Sequence, residues 1–212
     1  MEQTDTGTEF EATVVRDMQH WLQQAVIGLN LCPFAKAVVV RQQVHFVVSR
    51  ARHANEFEPV LLRELQALSA ADPQVRDTTL LMAPDCLTSF LDFNDFLERA
   101  DQCLQSLDLD GEIQIASFHP QFQFAGTGKG DIGNFTNRAP YPTLHLLREA
   151  SVDRAVAAFP QAESIFETNI DTLRRLGREG WDALGITRTA PATQGQAEPT
   201  RQGGKRRGTI RR

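Results

Sequence analysis

Two histidines, one cysteine and a group of cations and amides are the residues of this 212-residue chain best suited to chemistry. His119 and His145 fall within one segment, 117 to 149, that reads SFHPQFQFAGTGKGDIGNFTNRAPYPTLHLLRE. An imidazole titrates near neutrality, so either histidine can serve as general acid or base, and Asp131 can orient one of them. The plainer alternatives are a turn histidine bonded to a backbone carbonyl for His119 and an ion pair with Glu149 for His145. Arg138, Arg148 and Lys129, with Asn134, Asn137 and Tyr141, are the equipment for holding phosphate or carboxylate, because the guanidinium fork and amides supply paired donors. The competing reading makes Asn134 and Asn137 Asx-turns and pairs Arg138 with Asp131. Cys32, in a turn beside Pro33, is the candidate nucleophile, provided a base or positive charge assists its thiol. A zinc or iron site from Cys32, His119 and His145 is the metal alternative.

The glycines of the same segment invite a nucleotide reading. Gly128, Gly130 and Gly133 fit G-x-G-x-x-G, but that fingerprint needs a strand ending just before it and a helix opening at its end. Here nine residues separate the predicted strand from Gly128, and Pro140 and Pro142 follow. The phosphate loop of NTPases fails too, since its first glycine falls on Gln123 and its Ser or Thr on Gly130. No nucleotide-cofactor motif survives.

The elements that position these residues follow from periodicity. Phe10, Val14, Met18, Trp21, Leu22, Ala25 and Val26 recur at helical spacing, with Thr8 and Glu11 as a capping box and Gly28 as the stop. The stretch AVVVRQQVHFVVS, from residue 37, predicts a hairpin or an interrupted strand with Val44 to Val48 as its core. Helices are expected over 55–68 and 89–107 and strands over 78–83 and 112–118. After Pro142, TLHLLRE reads as a short helix that sets His145, Tyr141 and Arg148 towards one surface. Ser151 caps another helix, and a last one covers 162–177. Strands alternating with helices give an α/β or α+β fold, a small sheet packed by several helices.

Composition sets the class. With 41% hydrophobic and 23% charged residues the chain is globular, and no apolar run is long enough to cross a bilayer. Without an export signal, Cys32, Cys86 and Cys103 are expected as free thiols in the cytoplasm, the last two structural. The net charge of −5 conceals an asymmetry. From Thr187 onward seven basic residues face one acid, giving +6 and leaving the body at −11. The body therefore repels nucleic acid, except through that tail. The expected organisation is a flexible start over 1–8, one domain over 9–186 and a disordered basic tail over 187–212.

Three stretches, GLNLCPFA at 28–35, FHPQFQFAGT at 118–127 and NFTNRAPYPTLHLLRE at 134–149, resemble the bacterial family grouped as domain of unknown function 1415. The resemblance covers about residues 10–186 and implies no activity. From the residues themselves, the expectation is a hydrolase or group transferase acting on a small anionic metabolite. A metal-dependent enzyme and a non-catalytic ligand-binding or protein-interaction module are the alternatives.

Overall fold

The computed structural model describes residues 5–158 and 164–189. Its centre is a four-stranded sheet in the order β1-β2-β4-β3, with β1 Val44–Val48, β2 Thr78–Met82, β3 Ile113–Phe118 and β4 Thr143–Arg148. β1 and β2 are parallel, while β4 runs antiparallel to both β2 and β3. The parallel pair is joined through α3 (Ala54–Ala70), as a parallel crossover requires. The fold is α+β, with α1 Asp5–Trp21, α2 Ala35–Val40, α4 Phe90–Ser106, α5 Glu149–Ala157 and α6 Ile165–Ala183 completing the helices.

Side chains alternate across each strand, so the sheet separates two cores. On one face α3 and α4 pack Phe57, Leu61, Leu65, Phe93 and Phe96 against Leu81, Leu144, Leu146 and Ile113. On the other, α1 and α6 bring Val14, Met18, Trp21, Leu173 and Trp181 to Leu80, Met82, Phe135 and Tyr141. β2 is buried at every position, as the central strand between two helical layers must be. Each fully buried Leu or Phe contributes roughly 1.5–3 kcal/mol, so this double core dominates stability.

Several local expectations are corrected. TLHLLR is a strand, not a helix: Leu144 and Leu146 alternate into the first core, and pairing to both β2 and β3 outweighs leucine's helical preference. The valine run before β1 is the short helix α2, closed by Gln42 at φ 58° and followed by the strand at Val44. α1 begins at Asp5, so Thr8 and Glu11 lie inside it instead of capping it. Ser151 lies within α5. The last helix reaches Ala183, broken at Gly177, whose φ of 67° is left-handed. The start of the expected last helix at residue 162 and nearly all of the expected tail fall on residues 159–163 and 190–212, outside the described residues.

Candidate functional site

The segment from His119 to Pro142 is a loop whose polar side chains bond within it and to the elements beside it. His119 is fully buried, its ring against Phe93 and Phe90 on the α4 face of the sheet. Its Nδ1 accepts the Gln121 amide at 3.0 Å, so Nε2 carries the proton and donates to the Leu87 carbonyl at 3.1 Å. Both ring nitrogens are thereby engaged, and burial pushes the pKa down. Asn134, also fully buried, accepts from the Phe124 amide and the Thr127 hydroxyl and donates to the Gly128 carbonyl. Asp131 accepts from the Gly133 amide, opening the 3-10 segment Ile132–Asn137. Asn137 donates to the Ser117 carbonyl and accepts from Thr136. Arg138 donates to the carbonyls of Phe122 and Lys129 and lies 4.1 Å over the Phe135 ring. Tyr141 is buried and donates to Asp17. Lys129 is exposed at the loop tip.

A different place gathers groups that are less fully engaged. On the opposite face of the sheet, a cleft of about 720 Å³ has strands β2, β3 and β4 as its floor. One wall is the end of α1, the π-helical turn Leu22–Ile27, the turn Cys32–Phe34 and α2, and the other is α5. That first wall depends on Gly28: a Cβ there would stand 2.3 Å from the Gln24 carbonyl oxygen, so only glycine leaves the π-helical turn this way. Asn30 follows at φ 55°, and Asn169 of α6 donates to the Leu31 carbonyl at 2.7 Å, fixing the turn that presents Cys32.

His145 lies mid-floor on β4, opposite Leu80 and Ala116. Its Nε2 is 2.6 Å from the Thr78 hydroxyl, whose oxygen is 2.7 Å from the Leu146 carbonyl. A hydroxyl has one proton, and the carbonyl can only accept, so Thr78 donates to Leu146 and His145 Nε2–H donates to Thr78. The Nδ1 lone pair is left without a hydrogen-bond partner among the described residues. Burial pushes the imidazole down to about 4, so it is neutral at pH 7. Cys32 lines the same cleft, half-buried. Burial raises its thiol pKa, against the amides of Phe34 and Ala35, which lower it, so the thiol is protonated at neutral pH.

The expected residues thus separate. Cys32, His145 and Arg148 line the cleft, while His119 faces the other core. Arg148 donates through its guanidinium to the carbonyls of Leu68 and Ala71 at the end of α3, with Nε buried and unpartnered among the described residues. His145 and Arg148 do not share a helical face, since three residues along a strand reverses the side. Nor is His145 paired with Glu149: its partner is Thr78. Among the described residues no three His, Cys, Asp or Glu side chains group as a metal site, and Cys32, His119 and His145 are not brought together.

Cleft residues that sequence reasoning missed are Arg41, Asp77, Thr78, Gln114, Ser151 and Arg154. Ser151 donates to Asp77 at 2.6 Å and accepts from Arg154 at 2.9 Å. Their signal was faint: Thr78 and Gln114 are polar residues at the starts of mainly apolar strands.

The sequence profile of the family described as "Protein of unknown function (DUF1415)" matches residues 13–183. The chain belongs to this family. The match spans both walls and the floor of the cleft of this DUF1415 protein, from before the π-helical turn to beyond α5. No curated protein and no solved structure matches the chain. No helix among the described residues is long and apolar enough to cross a membrane.

Proposed function

We propose that this protein is a cytoplasmic hydrolase or group transferase that acts on a small anionic molecule in the sheet-face cleft, with Cys32 as nucleophile and His145 as base. One observation carries the reading: His145 keeps an unengaged Nδ1 in the cleft that Cys32 also lines. The Thr78 hydroxyl sets the tautomer that turns that lone pair free. The three thiols are unpaired, as a reducing compartment requires.

The chemistry is acyl transfer. Cys32 Sγ attacks a carbonyl carbon while its proton passes to His145 Nδ1. The carbon–sulfur bond forms, the bond to the leaving oxygen breaks, and His145 returns the proton to the departing alcohol. Water or an acceptor alcohol then attacks the thioester, restoring the thiol. With the thiol raised and the imidazole lowered, no thiolate–imidazolium pair stands at rest. Proton transfer accompanies attack, as general-base catalysis describes. The loop residues His119, Asp131, Asn134, Asn137, Arg138 and Tyr141 act at a distance, by holding the end of β3 and the start of β4. Neither a metal nor an organic cofactor enters this scheme.

A short p-nitrophenyl ester tests it by intact and tandem mass spectrometry. The adduct is expected on Cys32, absent in Cys32→Ser and about 10²-fold slower in His145→Ala. Equal labelling of Cys86 or Cys103, or indifference to His145→Ala, refutes it. The raised thiol favours a second reading, a binding cleft without turnover, which predicts saturable ligand binding and no adduct.

A further inference from the structure

The cleft has chemically different ends. Register places Thr78 opposite Leu147 and Leu147 opposite Gln114, so the starts of β2 and β3 and the end of β4 meet at one end. Arg41, at the C-terminus of α2, precedes β1, whose first residue Val44 pairs with Thr78. Asp77, Ser151 and Arg154 join the same end through their hydrogen bonds. The far end is apolar: Phe118 closes β3 and packs on Trp21 at 5.2 Å, beside Leu22 and Val26. Cys32 precedes α2 and Arg41 follows it, and α2 lines the cleft through Ala37, Val38 and Val39.

Charge separates the ends further. Among the described residues three cations line the cleft, and Arg148 is committed to the end of α3. The Arg41 guanidinium has no hydrogen bond or ion pair to a described residue, and that of Arg154 bonds only to Ser151 among them. The single carboxylate among the described cleft residues, Asp77, is held by Ser151. These two exposed guanidiniums stand out in a body whose net charge is strongly negative.

We propose that the cleft binds a medium-length acyl chain ending in a carboxylate, the head at Arg41 and Arg154 and the chain running along α2 towards Trp21. This rests on the preceding reading for the choice of cleft and names its ligand class. A six-residue helix spans about 9 Å, so a reacting carbonyl at Cys32 and the anionic group lie roughly that far apart. The size suits it, because clefts of roughly 300–1,000 Å³ enclose ligands of this bulk. A bidentate guanidinium–carboxylate contact gives the head its preference over a neutral or cationic one.

The test compares octanoate, octanol and octylamine by titration calorimetry, with quenching of Trp21 emission as a second readout. Octanoate is expected to bind once per chain, about tenfold or more tighter than the other two, and to quench an emission absent from Trp21→Phe. Arg41→Ala/Arg154→Ala should lower octanoate to the affinity of octanol. Equal binding of the amine or alcohol, a carboxylate preference that survives the double substitution, or no saturable octanoate binding overturns the proposal. Binding does not require turnover. Octanoate preference without ester labelling removes the enzymatic reading alone, whereas labelling without charge preference removes this inference alone.

Discussion

The glycine-rich loop and the sheet-face cleft hold similar residue types and use them in opposite ways. In the loop, His119, Asn134, Asp131 and Arg138 all direct their polar atoms at backbone or neighbouring side chains. In the cleft, one ring nitrogen of His145 is engaged and one is not, and the Arg41 guanidinium makes no polar contact to a described residue. The loop must satisfy its own backbone, because it crosses between strands with little regular structure, and its polar side chains perform that task. The cleft floor has its backbone satisfied by sheet hydrogen bonds, so the His145 Nδ1 above it is not needed for that task.

Substitutions can break this contrast, beginning with the largest effect. Asn134→Ala removes three hydrogen bonds of 2.8–2.9 Å from a fully buried site and should cost about 3–4 kcal/mol in urea unfolding. A loss below 1 kcal/mol would mean the loop is not self-supporting.

The next effect is acid destabilisation. His145 falls from its ordinary 6.5 to about 4 on folding, so the unfolded chain binds the extra proton between those values. Stability is then full above pH 6.5 and declines as pH falls towards 4, by up to about 3 kcal/mol. His119, lowered in the same direction, adds to the slope. His145→Gln should flatten the acid limb in denaturation measured across pH, and an unaltered limb would contradict the buried neutral imidazole.

Arg138→Ala loses two carbonyl contacts and the Phe135 stacking and should cost about 1–2 kcal/mol while sparing ester labelling at Cys32. Lys129→Ala, at an exposed position, should stay within about 0.5 kcal/mol and leave labelling intact. Loss of labelling in either variant would return the chemistry to the loop.

The fold was legible where pattern and packing agree. The amphipathic stripes of α1, α3 and α4, and the runs that became β1, β2 and β3, are encoded by periodicity. β4 was misread because TLHLLR carries leucines at helix-compatible spacing, and only its place between β2 and β3 makes it a strand. α2 was misread because valine favours strands, while the left-handed Gln42 that follows it leaves no local signature. Of the site, Cys32 and His145 were recognisable by type. Their shared cleft was not, because Arg41, Thr78, Gln114 and Arg154 converge from four separate elements. Density of His, Arg and Asn along the chain marked the loop, where the need was backbone satisfaction.

The central claim is that reactive groups lie in the cleft and not in the loop, and the two histidines decide it in one experiment. Diethyl pyrocarbonate acylates a neutral imidazole nitrogen that has an available lone pair. At pH 6, followed by peptide mass spectrometry, His145 should be modified in the native protein while His119 reacts only after denaturation. Modification of native His119 at the rate of His145, or protection of His145 in the folded chain, would contradict the account.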